Sequence, residues 1–232
     1  MISVKVWTAE ELGKVNDELE GSPPQDVLRW VVDNFAREDF ALACSFGEPV
    51  LVDMLVKIKP DARIFSLDTG LHFAETLELK DEIERKYGIR IEMYRPKLTL
   101  DEMEREYGPE LWKRNPDECC RIRKVEPLKE VLSGLKAWIT GIRRDQSPTR
   151  KNAPVVGIDP KHGLVKVNPL VNWTSRDVWE YLERNGVPYN RLLDQAFASV
   201  GCEPCTRPII PGEDERAGRW DGFAKTECGL HK

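Results

Sequence analysis

Residues 40–58 read FALACSFGEPVLVDMLVKI and contain a complete passage from a strand to a helix. The apolar run at residues 40–45 predicts a buried strand, and the apolar segment at residues 50–58 predicts a helix. Between them lies the loop Ser45-Phe46-Gly47, whose glycine allows the backbone to approach a ligand closely. A strand, a short loop and a helix in this order are typical of the βα units that build a mainly parallel sheet. We therefore predict an α/β fold.

The same alternation continues along the chain. Further strands are predicted at residues 63–67, 90–94 and 136–140, two short strands between 154 and 169, and helices at 73–87, 100–107 and 175–185. Each of these helices is followed by glycine, the usual stop signal. We predict one Rossmann-like domain over residues 1–200. Residues 201–232 are rich in glycine, proline and charge without a clear period, which predicts an irregular tail that needs partners to become ordered.

The composition limits the class of protein. The chain has 232 residues, of which 41% are hydrophobic, and a formal net charge of -5, which disfavours general binding of nucleic acids. Residues 1–20 lack the apolar core of a signal peptide. No run approaches the roughly 18 apolar residues that span a bilayer. We expect a cytoplasmic protein without nucleic-acid or membrane partners, in which thiols stay reduced and serve metal or redox chemistry.

Three loops that follow predicted strands are candidates for ligand binding, because ligands of open parallel sheets bind beyond the carboxyl ends of the strands. The first two lack the glycine pattern of a phosphate-binding fingerprint, and each alone is equally typical of an ordinary turn. The third, residues 141–150, supplies three guanidinium groups, which suit phosphate or sulfate oxygens. The candidate residues are Ser45, Gly47, Asp68, Gly141, Arg143, Arg144 and Arg150.

Four of the six cysteines form two pairs, Cys119 with Cys120 and Cys202 with Cys205. Thiolates spaced as Cys-x-x-Cys commonly bind zinc or an iron–sulfur cluster. The adjacent pair has no spacer, and on a helix its side chains would diverge by about 100 degrees. A cluster of several irons accepts such ligands more easily than a single ion. Cys44, within an apolar strand, is interpreted as a small buried apolar residue.

Cys228 stands apart from these pairs and is followed by Gly229, so that it can move. The thiolate is the reactive form of cysteine, and nearby cations increase its fraction. Arg216 and Arg219 lie in the same tail. If the tail becomes ordered over an anionic ligand, positive charge and the thiol reach that ligand together. The pattern predicts a lid that carries its own nucleophile.

Four stretches of the chain resemble the assimilatory adenylyl-sulfate reductases, within the phosphoadenylyl-sulfate reductase family. They are CCRIRKVEPL from Cys119, GIRRDQSPTR from Gly141, GCEPCTRP from Gly201 and ECGLH from Glu227. The resemblance covers residues 40–231, and the combination of the double cysteine, Cys-x-x-Cys and ECGLH is highly specific. Where many relatives continue the first loop as SFGAED, this chain reads SFGEPV.

The resemblance implies a fold of the adenine nucleotide α-hydrolase type and the reduction of adenylyl sulfate to sulfite and AMP, a step of sulfate assimilation and cysteine biosynthesis. Thioredoxin or a similar dithiol would donate the electrons, through an S-sulfocysteine intermediate on Cys228. One [4Fe-4S] cluster would be bound by Cys119, Cys120, Cys202 and Cys205.

The resemblance also assigns roles to residues outside the cysteines. Lys124 would couple the cluster to the substrate. The phosphosulfate would be held by Arg150, Arg216 and Arg219, and His231 in the terminal motif would assist the nucleophile.

Other functions remain open at this point. A reductase of 3′-phosphoadenylyl sulfate, or of both substrates, would use the same chemistry, although relatives committed to that substrate usually lack the four cluster cysteines. An ATP pyrophosphatase that activates a tRNA base would carry Ser-Gly-Gly-x-Asp-Ser in the first loop, which this chain lacks. A zinc-stabilised nucleic-acid-binding module is disfavoured by the acidic charge. The electron donor and a homo-oligomeric state are not determined by the sequence.

Overall fold

The computed structural model describes residues 6–230 and contains one six-stranded sheet. Its strands are β1 Phe40–Ala43, β2 Ile64–Leu67, β3 Glu92–Tyr94, β4 Ala137–Ile139, β5 Val156–Ile158 and β6 Val165–Val167. The spatial order is β3-β2-β1-β4-β6-β5. All neighbouring strands are parallel except β5, which runs antiparallel to β6. The predicted α/β class with a mainly parallel sheet is confirmed.

Helices cover both faces of the sheet, as the alternating pattern requires. They are α1 Ala9–Leu19, α2 Pro24–Asn34, α3 Val50–Ile58, α4 Ala74–Tyr87, α5 Leu100–Tyr107, α6 Leu111–Arg114, α7 Pro116–Cys120, α8 Glu126–Leu132 and α9 Ser175–Asn185. The predicted helices α3, α4, α5 and α9 are confirmed to within one residue. Gly88 ends α4 in the left-handed conformation, with φ of 64°, which glycine adopts without strain.

The strand–loop–helix unit formed by β1 and α3 lies at the centre of the core. In β1, Phe40 and Leu42 are fully buried, and seven of the nine residues of α3 are buried behind them. On the neighbouring strand β4, Trp138 is buried on the other face of the sheet, in a second apolar cluster with Phe65. Because β1 is covered on both faces, its sequence reads as continuously apolar rather than alternating.

The two N-terminal helices were not predicted from the sequence. In α1 Leu12 is buried, and Val15 on the same face packs against the main core. The helix also closes the sheet edge, because the Asn16 side-chain oxygen accepts hydrogen bonds from the backbone N–H groups of Val155 (2.9 Å) and Val156 (3.3 Å). The side chain thereby takes the place of a further strand at this edge.

Helices α7 and α8 are joined without a break by the π-helical segment Arg121–Val125. Within it, the N–H of Glu126 donates to the carbonyl of Arg121, five residues earlier. Pro127 follows and has no N–H to donate, which explains why the ordinary helical ladder is displaced here. Such π segments are frequent at functional sites, and this one carries part of the site described below.

The strand order reverses between β1 and β4, since the chain passes from β1 to β2 and β3 on one side and to β4 on the other. A crevice opens beyond the carboxyl ends of strands at such a point, and helices and loops on both sides can line it. The sheet order therefore places the candidate site next to the loops after β1, β2 and β4.

The segment from residue 201 to 230 has no long helix and no sheet strand, as predicted. It folds back on itself, because the N–H of Arg207 donates to the Gly218 carbonyl (2.9 Å) and that of Trp220 to the Cys205 carbonyl (3.1 Å). It also lies against the rest of the chain, so the groups that order this segment belong to the same chain. No helix within residues 6–230 is long and apolar enough to span a membrane.

Candidate active site

A cavity of about 270 Å³ lies at the reversal of strand order. The loop after β1 contributes Ser45 and Gly47, the loop after β2 contributes Thr69, and the loop after β4 contributes Gly141. These positions are those where an open α/β sheet binds its ligand. The cavity also extends to the 201–230 segment, including Cys228.

The loop after β1 is held in a strained conformation. Phe46 is buried and has φ of 56°, in the left-handed region that a bulky residue rarely adopts. The buried Asn190 fixes it, because its side-chain amide donates to the Phe46 carbonyl (3.1 Å) and its own N–H to the Gly47 carbonyl (3.1 Å). The sequence analysis did not identify Asn190, since its partners are distant along the chain.

Four cations line the cavity: Lys124, Arg150, Arg216 and Arg219. The buried Nε atoms of Arg216 and Arg219 have no hydrogen-bond partner among the described residues. Burial lowers the pKa of Arg216, and the neighbouring Arg150 lowers it further. Uncompensated donors and crowded positive charge in a crevice indicate an anionic ligand, with which guanidinium groups make several hydrogen bonds.

Trp220 supports two of these arginines. Its ring lies 4.6 Å from the Cζ of Arg219 and 5.8 Å from that of Arg216, within cation–π distance. On the other side, a Cβ at Gly201 would overlap the Arg219 guanidinium, so this close approach requires glycine. The arginines are therefore oriented by packing before any ligand binds.

The four paired cysteines come from two segments that meet beside the cavity. Cys119 and Cys120 are buried at the end of α7, a helix that the sequence analysis did not predict. Cys202 forms a backbone bridge with His72, and its Sγ lies 3.4 Å from the Thr69 hydroxyl. The loop after β2 thereby brings the Cys-x-x-Cys segment to the helix.

Electrostatic coupling shows that these four thiols are close neighbours. Burial raises the pKa of Cys119 to about 12, and Cys120, Cys202 and Cys205 each add to the rise. Burial and Cys202 raise the pKa of Cys205 to about 11. Three of the four thiols are buried and Cys205 is half-buried, so four thiolates here would repel one another strongly unless a cationic centre compensated them. In residues 6–230 no group of three or more His, Cys, Asp or Glu side chains is arranged to hold a single metal ion.

Lys124 lies between these thiols and Cys228. Burial alone would lower the pKa of this lysine, but the nearby sulfurs of Cys202, Cys228 and Cys120 hold it above its ordinary value. In return, Lys124 helps to lower the pKa of Cys202, against the effect of burial. One ammonium group therefore interacts with both the paired thiols and the separate thiol.

Two arginines predicted to bind substrate are placed elsewhere by the structure. Arg143 is 1% exposed and forms ion pairs with Glu48 (2.7 Å), Asp145 (3.1 Å) and Glu215 (3.1 Å). Arg144 pairs with Glu20 at 2.7 Å. Neither lines the cavity. Carboxylates of the chain itself occupy donors of both arginines, so the structure does not bring either of them to the cavity with Arg150.

Asp68, also predicted to bind substrate, likewise lies outside the cavity lining. Its carboxylate accepts hydrogen bonds from the Gly70 N–H (3.0 Å) and from the Nε of Arg95 (2.9 Å). It shapes the loop after β2 in the manner of an Asx turn. Cys44, interpreted from the sequence as a small buried apolar residue, is half-buried and lines the cavity, and desolvation raises its pKa to about 12. His231 lies outside the described residues.

The end of the chain is docked by residues that sequence reasoning did not identify. Glu227 is 2% exposed, and both its oxygens face Arg150, at 2.8 and 2.9 Å. Lys161 donates to the Gly229 carbonyl (3.1 Å), and Leu230 packs against the cluster that contains Trp138. Glu227 belongs to the terminal motif ECGLH, and its place in that motif was the sequence signal that could have identified it.

The geometry defines an α/β protein with a crevice at the reversal of strand order, a set of arginines that line it, and a free thiol separate from four paired thiols. A family model described as the phosphoadenosine phosphosulfate reductase domain matches residues 39–208. The chain belongs to this family.

Similar proteins cover the whole chain. A protein named adenosine 5′-phosphosulfate reductase from Geobacillus sp. (strain WCH70) is 46% identical over 100% of this chain and 99% of its own length. Adenosine 5′-phosphosulfate reductase 2 of Bacillus subtilis (strain 168) is 52% identical, over 100% and 98%. The crystal structure of phosphoadenylyl-sulfate reductase from Candida auris, in a phosphate complex, is 32% identical with a TM-score of 0.78, over 88% of this chain and 100% of that chain.

Proposed function

We propose that this protein reduces adenylyl sulfate to sulfite and AMP, with Cys228 as nucleophile and a thioredoxin-type dithiol as reductant. The observation that carries the proposal is the placement of the Cys228 thiol in the same cavity as Lys124, Arg216 and Arg219. The names of the full-length relatives support the substrate.

The reaction proceeds in two displacements. The Cys228 thiolate attacks the sulfur of adenylyl sulfate, an S–S bond forms, the bond from sulfur to the phosphate oxygen breaks, and AMP leaves with the electron pair. A thiolate of the reductant then attacks the Sγ of the resulting S-sulfocysteine and releases sulfite. The second thiol of the reductant resolves the mixed disulfide and restores Cys228, so the dithiol is oxidised as the sulfur is reduced.

The arginines perform the binding and the charge compensation. Adenylyl sulfate, a mixed anhydride of phosphate and sulfate, is anionic and repels an incoming thiolate, so positive charge must offset the repulsion in the transition state. Arg216 and Arg219 offer free Nε donors, and Lys124 places an ammonium group near Cys228. The phosphate is a good leaving group, so positioning is the main requirement.

We propose that Cys119, Cys120, Cys202 and Cys205 hold one [4Fe-4S] cluster. The donor set fits, because the four thiols influence one another's charge and lie beside Lys124, Arg123 and Arg219. A bound cluster would supply a fixed charge next to the site without changing its redox state. The cations of the chain near these thiols would then balance a dianionic centre.

The cluster proposal predicts that protein purified without oxygen is brown and contains about four irons and four sulfides per chain. Cys120→Ser should lose most of this iron, because the hydroxyl is a poor ligand for the cluster. Cys44→Ala should retain it, since Cys44 lies outside the paired thiols. Colorimetric iron and sulfide analysis decides the matter, and colourless, iron-free protein containing zinc would contradict the proposal.

Two carboxylates favour adenylyl sulfate over its 3′-phosphorylated form. Glu48 and Glu215 line the cavity, and together with Asp145 they share the single charge of Arg143. Three carboxylates around one arginine leave excess negative charge at this part of the cavity. A further phosphate on the ligand would be repelled there.

We therefore expect kcat/KM for adenylyl sulfate to exceed that for 3′-phosphoadenylyl sulfate by at least roughly tenfold, because like charges in a cavity are costly. Parallel sulfite assays with the two substrates measure the ratio. Equal values would instead favour an enzyme of both substrates.

We place the reaction in the cytoplasm, where dithiols are kept reduced. We also propose the division into a nucleotide-binding domain over residues 1–200 and a tail over 201–232 that carries Cys-x-x-Cys and the nucleophile. The tail contributes Glu215, Arg216, Arg219 and Cys228 to the cavity lining, so the site needs both parts.

A further inference from the structure

Glu227, which directly precedes Cys228, has five donors around one buried carboxylate. Arg150 donates through Nε (2.8 Å) and Nη2 (2.9 Å), and Arg216 through Nη2 (3.3 Å). The hydroxyls of Thr149 (3.3 Å) and Ser147 (3.4 Å) complete the shell. Burial alone would raise the pKa of Glu227, but Arg150 and Arg216 hold it below its ordinary value, so the group is a carboxylate.

The same two arginines line the cavity in which the anion is proposed to bind. Arg216 is not saturated by the tail, since its Nη2 serves Glu227 and the Thr226 carbonyl (3.0 Å) while its Nε has no partner among the described residues. The arginine can therefore hold Glu227 and a substrate anion at once. This shared arrangement connects the position of the thiol directly to the position of the anion.

We propose that Glu227 is a positioning residue that sets the place of the Cys228 thiol relative to the substrate anion. The effect on turnover rests on the proposed function. Bidentate pairing to Arg150 fixes the direction of the last segment as well as its distance. A flexible tail would otherwise spread the thiol over many positions, and misplacement by about 1 Å can cost on the order of 100-fold in rate.

The carboxylate has an opposite effect on binding. It neutralises part of the positive charge of Arg150 and Arg216, so its removal leaves these groups more attractive to an anion. A residue that only stabilised the fold would weaken binding and turnover together. Removing a positioning residue that competes with the substrate for the arginines should instead lower turnover and strengthen binding. This opposite change in the two quantities distinguishes the proposal from a purely structural role.

The test uses Glu227→Gln, which keeps the shape and removes the charge. We expect kcat for sulfite release to fall roughly ten- to 100-fold, because the thiol is no longer held in place. Adenylyl sulfate should bind roughly three- to tenfold more tightly, because one negative charge has been removed from the arginines. Glu227→Asp, which keeps the charge, should recover part of the lost turnover.

A second measurement needs no substrate. Iodoacetamide labelling of the intact ligand-free protein, read by mass spectrometry of the peptide that carries Cys228, should be several-fold faster in Glu227→Gln. Trypsin should also cut more readily after Lys225, whose side chain is 6% exposed in the docked tail. The matched control is Glu213→Gln, a tail carboxylate that pairs with Arg207 (2.9 Å) outside the cavity and should leave both rates unchanged.

Unchanged labelling and proteolysis in Glu227→Gln would overturn the proposal, and so would a parallel loss of kcat, affinity and thermal stability. If the unaltered protein releases no sulfite, the proposed function fails. The labelling and proteolysis results would still test the docking role of Glu227 on their own.

Discussion

Cys228→Ser abolishes sulfite release, while adenylyl sulfate still binds. Serine is close in size to cysteine, but its hydroxyl stays protonated at neutral pH and is a much weaker nucleophile than a thiolate. We expect turnover to fall by on the order of 1,000-fold or more, the scale seen when a covalent nucleophile is removed. The arginines that bind the anion are untouched, so the dissociation constant should change little.

Anaerobic assays with reduced thioredoxin measure the loss of turnover, and equilibrium dialysis with labelled adenylyl sulfate measures the binding. The iron content of the variant serves as the internal control, because Cys228 lies outside the four paired thiols and its loss should leave the iron in place. Sulfite release at even one tenth of the normal rate would refute the role of Cys228.

Arg143→Met is the substitution with the largest expected effect on stability. It removes the guanidinium group with which Glu48, Asp145 and Glu215 all pair, and leaves the three carboxylates facing one another. Breaking a buried ion pair from one side typically costs about 3–5 kcal/mol in the free energy of unfolding. Because Glu215 belongs to the tail, the cavity should also lose its order.

Anoxic urea unfolding followed by tryptophan fluorescence measures this cost. The matched control is Arg176→Met, because Arg176 is 85% exposed and pairs only with Glu180 in the ion pairs described, so its unfolding midpoint should stay near that of the unaltered protein. Burial raises the pKa of Glu215, so the deficit of Arg143→Met should shrink as pH falls through that pKa and the carboxyl becomes neutral. An unchanged midpoint would contradict the account of Arg143.

The central fold could be predicted because its signals are local. The apolar run of β1 and the glycine after α4 each follow from the sequence alone. Helix α1 was missed although its signals are also local, since Thr8 and Glu11 form a capping box at its start and its apolar residues pack on the core. The helix through Cys119 was harder to predict, because polar residues and Pro127 mask a segment whose continuity depends on a π-helical adjustment.

Candidate residues could be proposed from the sequence where the chemistry resides in the residue type, as for the cysteines and the arginines of the tail. Their surroundings could not be predicted where pairing decides them. Arg143 and Arg150 share one loop and one side-chain type, yet three carboxylates pair with the first, which does not line the cavity, whereas the second does. Glu227 likewise gains its importance from Arg150, which lies far away in the sequence.

The most direct test of the account is a single turnover without reductant. Protein mixed with excess adenylyl sulfate in the absence of any dithiol should release AMP in an amount equal to the protein, and no sulfite. Mass spectrometry should then find a sulfonate group on the peptide that carries Cys228, and reduced thioredoxin should discharge it as sulfite. AMP release that waits for the dithiol, or a sulfonate on another cysteine, would contradict the account.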